Sequence, residues 1–318
     1  MGLRLFIVFV LLFNAVLSSA QNDSILKNDN IISFPNKITT RISLINTSNN
    51  FYFSGGDNGD NLKLEANARE YLGASIHFRS IEIDFGFAPN FLNSNKDNEH
   101  SKLFNLNFRM FFYQWMQTID VYSQQGFYIT QGKEKISFPG VKTFKIGGST
   151  SYIFNKDFSF RTIGFQNEWQ TKSAGSFIPT FNYYYTKYSI NQDSLNENAY
   201  TYNMAIAPSY YYNLSLTRHL LISLGGSVGI GINHSSNLGD GDITSVLYEF
   251  SGRSHIGYNS NSLFAGISSS ILTLDHKIDN NRRQNDDIPF VEFYLGYRFN
   301  APKKWVKFAD NFKDKYGF

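Results

Sequence analysis

The residues best suited to covalent chemistry are a histidine and a serine two positions apart, His234 and Ser236. In an extended strand, residues i and i+2 lie on the same face, so the imidazole could take the serine proton. A third group would have to orient the imidazole, and the nearby acids are Asp240, Asp242 and Glu249. The alternative is a polar loop that contains one histidine by chance. We favour this alternative, which predicts no catalytic residue.

A larger set of charged and polar side chains could bind a solute. These residues recur at every second position of segments in which the other positions are apolar, so they share one face. Charges confined on one face normally pair with each other and with water, because an unpaired charge in a confined space is costly. A permeation path or a ligand site is the alternative. The set comprises His77, Glu82, Asp84, Arg109, Asp120, Glu249, Arg253, His255, Glu292 and Arg298.

The composition excludes several other classes of function. The chain has no cysteine, which excludes a thiol nucleophile, a disulfide framework and a thiolate metal site. Its 29 Lys and Arg against 26 Asp and Glu give a net charge of +3, which is too small to indicate a nucleic-acid partner. No phosphate-binding, dinucleotide-binding or metal-protease motif occurs, and we predict neither a cofactor nor a metal site.

The elements that carry these residues are predicted to be strands. Hydrophobic residues reach 42%, with 31 Phe and 20 Tyr, but no apolar run after the N-terminus is long enough for a transmembrane helix. Dispersed apolar residues rich in aromatics are typical of transmembrane barrels, whose strands contact lipid with every second residue. Short turns place apolar residues on a common face across consecutive strands. The predicted pairings are Phe78 with Ile81, His77 with Glu82, Arg109 with Thr118, Asn107 with Asp120, and Tyr258 with Leu263.

The sequence therefore predicts an all-β fold, an antiparallel up-and-down transmembrane β-barrel of about twelve strands over residues 37–300. Tight turns alternate with long connections at 89–101, 125–142, 189–199, 234–245 and 276–288, and residues 49–61 are also expected to form a loop. An even strand number is obtained only if residues 173–187 do not form an ordinary strand. This segment would instead belong to an external loop or pair with residues 62–66.

The two ends of the chain differ from the barrel. Residues 1–20 have a basic start, an apolar stretch and small residues before a cleavage site after Ala20, as in a secretory signal peptide. Residues 21–36 are polar and predict a periplasmic lead-in. Residues 301–318 form a basic tail with aromatic residues at helical spacing, which predicts either an amphipathic periplasmic helix or a disordered tail. The expected partners are outer-membrane lipid and, during insertion, the barrel-assembly machinery, and the ligand is unknown.

The segment from Phe158 to Phe177 is the best candidate for a functional surface. Its alternation predicts a strand from 158 to 170, with Arg161 facing either the lumen or the membrane interface. One side would carry polar residues towards the lumen, and the other would present Phe165, Asn167 and Trp169 to lipid. The predicted binding residues are Gln166, Glu168, Gln170, Lys172, Ser173 and Ser176.

The stretch FNKDFSFRTIGFQNEWQTKSAGSF, which ends at Phe177, resembles a Bacteroidetes-type outer-membrane barrel family of unknown function, the DUF4421 type. Agreement extends to Asp120-Val121-Tyr122 and to the closing run that begins at Leu295. The resemblance implies an outer-membrane barrel and assigns no activity or catalytic residue. Separately, the His-x-Ser-Asn pattern at 234–237 is similar to that of outer-membrane phospholipase A and lipid A deacylases.

Taken together, the sequence predicts an integral barrel in the outer membrane of a Gram-negative bacterium. Its function would be that of a narrow, porin-like pore, a barrel that handles a small ligand or lipid, or a structural element of the envelope. The alternative is a serine-dependent lipid hydrolase that uses His234 and Ser236.

Overall fold

The computed structural model describes residues 25–55, 62–66, 70–89, 91–92, 102–131, 134–164, 166–192, 195–237, 241–279 and 281–316. The predicted signal peptide, Phe165 and Asp240 lie outside these ranges. The strands are β1 (Ile25–Asn28), β2 (Ile31–Ser33), β3 (Lys37–Thr47), β4 (Asn50–Gly55), β5 (Leu62–Ala66), β6 (Glu70–Phe78), β7 (Ile81–Phe87), β8 (Lys102–Phe112), β9 (Trp115–Gln131), β10 (Glu134–Tyr152), β11 (Glu168–Gln170), β12 (Ala174–Gln192), β13 (Leu195–Ser215), β14 (Leu220–Ser236), β15 (Ile243–Asn259), β16 (Leu263–Lys277) and β17 (Arg282–Asn300). The helices are α1 (Arg161–Gly164) and α2 (Lys303–Tyr316).

The wall of the barrel consists of β3, β6 to β10 and β12 to β17, and each of these strands is antiparallel to its neighbours. The last strand, β17, pairs with the first, β3, from Asn300↔Lys37 to Phe290↔Thr47, and this pairing closes the ring. A closed barrel leaves no strand edge unpaired in its wall. The prediction of an all-β, up-and-down antiparallel barrel of about twelve strands is confirmed.

The outer surface of this wall is apolar, and its inner surface is polar. On β14 the outward-facing Leu224, Val228 and Ile230 are each 61% exposed, whereas the inward-facing Ser223 is buried. The same alternation recurs around the ring and produces an apolar belt far larger than the patches that soluble monomers expose. The predicted phase of the strands is therefore correct, with apolar side chains outside and small polar side chains inside.

The barrel has one end with short connections, which we call the turn end, and an opposite end, which we call the loop end. At the turn end, two of the predicted hairpins are confirmed, with His77 opposite Glu82 and Asn107 opposite Asp120. The third is wrong by two residues, because Asn259 pairs with Phe264 and Tyr258 with Ala265. Residues 260–263 connect Asn259 with Phe264, and the amide of Leu263 donates to the Ser260 hydroxyl oxygen at 3.1 Å.

At the loop end, several segments predicted as long loops are continuations of strands. Residues 125–131 and 134–142 extend β9 and β10, 189–192 and 195–199 extend β12 and β13, and 282–288 belong to β17. The predicted loop at 49–61 contains β4, which pairs with β17, while β5 pairs with β9. At this end β4 and β5 replace β3 and β6 to β8 in the wall. Strands beyond the lipid belt have water outside, so their apolar alternation fades.

The largest correction concerns the connection between β10 and β12. Residues 158–164 and 166–167 are not in a strand, and only Glu168–Gln170 forms one. Conversely, the segment 173–187, which was expected to break the barrel order, lies almost entirely in β12 and pairs regularly with β10 and β13. The even strand count is therefore restored by residues 153–173, which leave the wall instead of crossing it.

The C-terminal helix α2 lies at the turn end. Arg79 in the first turn forms an ion pair with Asp310 of the helix at 2.6 Å, and the Phe78 and Trp305 ring centroids are 6.0 Å apart. Phe308 and Phe312 are exposed on the helix, which also carries five lysines. Among the residues that the structure describes, no helix is both long and apolar enough to cross a bilayer.

Candidate functional site: the plug and the lumen

Two segments that are distant in sequence combine at the turn end into one unit, which we call the plug and define as residues 25–36 and 153–173. Strands β1, β2 and β11 form its small antiparallel sheet, in which Glu168 pairs with Ser33 and Gln170 with Ile31. The helical turn α1 precedes β11. The residues predicted as a periplasmic lead-in therefore supply two of the three strands of this sheet.

The plug packs against the inside of the wall through apolar side chains. Phe158, Phe160 and Ile163 form one buried cluster with wall residues that include Phe111 and Ile178. A second cluster joins Trp169 to Phe34 and to Leu221 of β14. The Trp169 indole nitrogen also donates to the carbonyl of Arg218 at 3.0 Å. These contacts anchor the plug to several sides of the ring.

Polar residues of β11 are satisfied within the plug. The Ser159 hydroxyl donates to Glu168 Oε2 at 2.6 Å, and the Ser159 amide donates to Gln170 Oε1 at 2.8 Å. Asn213 of β13 donates to the Ser159 carbonyl at 3.0 Å. Gln170 donates in turn to the carbonyl of Asp157 at 2.6 Å, which brings the two ends of the segment 158–170 together. Buried polar groups that are paired in this way fix one conformation of the segment.

Arg298 of β17 is the most deeply buried link between wall and plug. Its Nε donates to the Gln166 carbonyl at 2.7 Å, and its Nη1 donates to Asn259 Oδ1 at 2.7 Å and to the Ser260 carbonyl at 2.8 Å. The guanidinium carbon lies 4.1 Å from the ring centroid of Phe34 and 4.6 Å from that of Phe264. This arrangement combines charge-assisted hydrogen bonds with cation–π contacts on both faces.

Gln166 has a left-handed backbone with φ of 59°, which costs a non-glycine residue roughly 1–2 kcal/mol. Its side chain donates to the carbonyl of Thr162 at 2.7 Å and to the Tyr294 hydroxyl at 3.0 Å. Together with Arg298, these contacts offset the backbone cost and point the Gln166 carbonyl at the wall. A glycine here would fit the backbone but would lose both side-chain bonds.

A second link joins the plug to the carbonyl of Arg79 in the first turn. That oxygen accepts from Asn167 at 2.8 Å and from Arg161 Nη1 at 3.2 Å, and His77 Nε2 lies 2.8 Å away. The Arg161 guanidinium lies over the ring of Phe111 at 4.6 Å. Burial lowers the pKa of this guanidinium, an effect that the Glu168 carboxylate opposes.

The predicted binding residues are thus divided between the plug and its surroundings. Gln166, Glu168 and Gln170 are buried in the plug, and Ser176 is buried in β12, where its hydroxyl accepts from the Asn155 amide at 3.0 Å. Lys172 and Ser173 are exposed at the turn end. The expected lipid-facing side is wrong, because Asn167 and Trp169 are buried inside the barrel. Contacts on both faces of β11, from Glu168 to Ser159 and from Trp169 to Leu221, replace the expected boundary between lumen and lipid.

The residues of the predicted lumen cluster do lie inside the barrel, and a network centred on Arg41 connects several of them. Arg41 Nη2 lies 3.0 Å from Asp84 and 3.7 Å from Glu82, and its Nε lies 3.7 Å from Glu292. Arg109 Nη1 lies 3.3 Å from Glu82. Sequence reasoning left Arg41 out of the cluster, although its odd position in β3 gives it the inward phase of Thr39 and Ser43. Arg41 also donates to the Gly164 carbonyl of the plug at 3.1 Å.

Above the plug the lumen contains a cavity of about 320 Å³. Phe160, Ile163 and Gly164 form its floor. Its walls carry hydroxyl groups of serine, threonine and tyrosine together with charged side chains from most strands. The charged lining residues are Arg41, Asp84, Arg109, Asp120, Lys145, Glu249, Arg253 and Glu292.

Side chains from opposite walls meet at the loop end of this cavity. Gln284 on β17 donates to the Tyr188 hydroxyl on β12 at 3.1 Å, so the bond crosses the lumen. The ring centroid of Tyr188 lies 5.4 Å from that of Phe51, which belongs to a buried apolar cluster with Phe127. Lys145 and Asp286 also meet across the lumen at 3.8 Å. The lumen is therefore narrowed at both ends.

The remaining members of the predicted cluster have separate surroundings. Asp120 accepts from Asn107 at 2.9 Å, and Glu249 accepts from Asn182 at 2.7 Å. His255 lies 3.0 Å from the Ser268 hydroxyl, and its ring is stacked on that of Tyr294. The alternation of residues along each strand was enough to predict that these side chains lie inside the barrel. It could not identify Tyr294 as a neighbour of His255, since the two rings meet over Gly266 of the intervening strand. Nor could it identify the contact between Lys145 and Asp286, which crosses the lumen.

His234 and Ser236 occupy the lipid-facing side of β14 near the loop end. Ser236 Oγ lies 3.4 Å from His234 Nε2, and His234 Nδ1 lies 2.9 Å from the Thr244 hydroxyl on β15. Glu249 cannot orient this imidazole, because its carboxylate faces the lumen. A threonine thus occupies the position in which an acid was expected. Within the described ranges, no three His, Asp or Glu residues converge to form a metal site.

Comparisons with known proteins place the chain in a family and give it no activity. Among solved structures, the chain is similar to the outer membrane protease OmpT from Escherichia coli, with 9% identity, coverage of 84% of this chain and 98% of that chain, and a TM-score of 0.35. It is also similar to OmpT of Vibrio cholerae, with 10% identity, coverage of 85% and 99%, and a TM-score of 0.33. No curated protein matches. A family model described as a domain of unknown function, DUF4421, matches residues 22–299, and the chain belongs to that family.

Proposed function

We propose that this protein is an outer-membrane barrel with a non-conducting lumen that binds a small polar ligand. The plug supports this proposal, because it fills the turn end and is joined by hydrogen bonds to β3, β13, β17 and the turn between β6 and β7. The apolar belt supports insertion into a membrane, with the short turns towards the periplasm. The polar cavity above the plug supports ligand binding rather than a purely structural role, and its volume suits a small molecule.

Conductance across a planar bilayer tests the closed lumen. We expect the refolded protein to show no steady ion conductance under conditions in which an open porin conducts. Heat-modifiable electrophoretic mobility would confirm that the inserted protein is folded. A steady conductance from folded wild-type protein would contradict the proposal and favour a narrow pore.

A serine-dependent lipid hydrolase is the second candidate, and one observation favours it. Ser236, His234 and Thr244 form a continuous chain of polar contacts on the lipid-facing surface, as a nucleophile, a base and an orienting group would. The distance of 3.4 Å between Ser236 and His234 exceeds an ordinary hydrogen bond, but such distances are often longer before substrate binds.

If this candidate is correct, Ser236→Ala should reduce phospholipid hydrolysis by the refolded protein to the background rate. Ser235→Ala is the matched control, because it removes a hydroxyl from the lumen side of the same strand and should retain activity. Thr244→Val should retain part of the activity, since the hydroxyl only orients the imidazole. Equal rates for the wild type and Ser236→Ala, or no hydrolysis by either, would exclude the hydrolase.

A further inference from the structure

Most of the arginines described inside the barrel form an ion pair or a hydrogen bond, and one of them does not. Within the ranges that the structure describes, Arg41 and Arg109 contact carboxylates, Arg161 contacts Glu168, and Arg298 contacts three oxygens. The Arg253 guanidinium has no ion pair or hydrogen bond among these residues. Its recorded contact is with the plug, 5.9 Å from the ring centroid of Phe160.

The carboxylates of the cavity are already engaged elsewhere. Asp84 contacts Arg41 at 3.0 Å, Asp120 accepts from Asn107 at 2.9 Å, and Glu249 accepts from Asn182 at 2.7 Å. A guanidinium that is partly removed from water without a counter-charge is unfavourable, and its planar fork is suited to a carboxylate or a phosphate. The cavity therefore contains a cation whose counter-charge would have to come from a bound molecule.

The surroundings of Arg253 favour a ligand that also carries hydroxyl groups. Its neighbours across β14 and β16 are Gly225 and Ser270, and the ring of Tyr211 packs over Gly225. Ser227 and Ser251 line the cavity with hydroxyls 2.6 Å apart, and the ring of Tyr211 adds an aromatic face. Alternating hydroxyls and aromatic rings can hydrogen-bond and stack against a polyhydroxylated carbon chain.

We infer that the lumenal cavity binds a small hydroxylated organic anion, with its carboxylate or phosphate on Arg253 and its hydroxyl groups on the serines around it. This inference rests on the proposed function, in that it names the ligand class of the same cavity. The plug takes part in binding, because Phe160 lies beneath the guanidinium. The volume of about 320 Å³ limits the ligand to about the size of a single sugar acid or sugar phosphate.

Thermal unfolding of the detergent-refolded protein with four probes of similar size tests this inference. The probes are gluconate, glucose 6-phosphate, glucose and glucosamine, and each is added both before and after refolding so that slow entry does not hide binding. We expect at least one of the two anions to raise the Tm in a concentration-dependent manner, while glucose and glucosamine do not. The two anions distinguish a carboxylate from a phosphate.

Arg253→Gln should weaken binding of that anion by at least about tenfold, as expected for the loss of a charge-assisted pair. Arg253→Lys should recover part of it, because the charge is kept while the planar fork is lost. Arg218→Gln is the matched control, since it removes an exposed arginine and should leave binding unchanged. An unchanged Tm without ligand would show that each variant folds.

Three outcomes would overturn the inference. Binding of glucose as tight as that of the anions would leave the proposed ligand-binding function intact but change the ligand class. Equal anion binding by wild type and Arg253→Gln would exclude the site. No binding of any probe would exclude hydroxylated anions as the ligand class. Failure of the proposed closed lumen is a separate result, because it would appear as ion conductance by the wild-type protein.

Discussion

Excision of residues 158–170 should expose the lumen to the solvent at the turn end. Because the natural chain has no cysteine, a single Ser251→Cys substitution would report access to the cavity without background. The Gln170 side chain contacts the Asp157 carbonyl, so a short Gly-Ser linker can join residues 157 and 171. We expect the cysteine to react with a charged thiol reagent at least about a hundredfold faster after excision, because labelling of the intact protein requires local opening that costs about 3 kcal/mol.

The control for this experiment is Ser251→Cys in unfolded protein, which gives the intrinsic rate of the thiol. A second control introduces cysteine at the exposed Ser173, where excision should change the rate little. Rapid labelling of Ser251→Cys in the intact barrel would contradict the closed turn end, or would show that the loop end admits the reagent. Adding the reagent to only one side of a reconstituted vesicle distinguishes these two routes.

Arg298→Met should loosen the plug without deleting it. The substitution leaves the Gln166 carbonyl, the Ser260 carbonyl and Asn259 Oδ1 buried without this donor, while removal of a buried charge recovers some of that cost. We expect the free energy that closes the plug to fall by about 2 kcal/mol. The measurement is the labelling rate of Ser251→Cys, which should rise by roughly 30-fold.

Arg298→Lys and Arg218→Met provide the comparison. Lysine keeps the charge but cannot reach all three oxygens with one planar group, so an intermediate rate is expected. Arg218 is exposed, and its replacement should leave the rate unchanged. If Arg298→Met were labelled as slowly as its parent, the apolar contacts of Trp169 and Phe160 alone would account for closure.

Much of the wall could be predicted from alternation alone. A strand in a barrel contacts lipid on one face and a polar lumen on the other. Apolar and small polar residues therefore alternate along β14 with a period of two. Short turns then fix the register between neighbours, as for His77 and Glu82. The turn after Asn259 was misjudged because a two-residue slip leaves every side chain on the same face.

The plug could not be predicted from the sequence. Polar and apolar residues alternate in a segment whose two faces are both buried much as they do in a strand between lumen and lipid. Residues 166–170 alternate in chemical type but contact both the plug and the wall, and their alternation was interpreted as lumen against lipid. Trp169 fits a lipid-facing position by its chemistry, yet it packs against Phe34, which lies far away in the sequence. Contacts across the lumen, such as Lys145 with Asp286, have no local signature either.

The position of Arg298 links completion of the barrel to assembly of its interior. This residue lies in the last strand, which closes the wall by pairing with β3, and it contacts Gln166, 132 residues earlier in the chain. The ring of Phe34, close to the start of the described chain, covers the other side of the guanidinium. Arg298 therefore contributes to the seam through its strand pairing with Thr39 and to the plug through its side chain, so the free energies of forming them are coupled. A barrel with an open seam lacks the donor that anchors its plug, and a barrel with a displaced plug has a weaker seam.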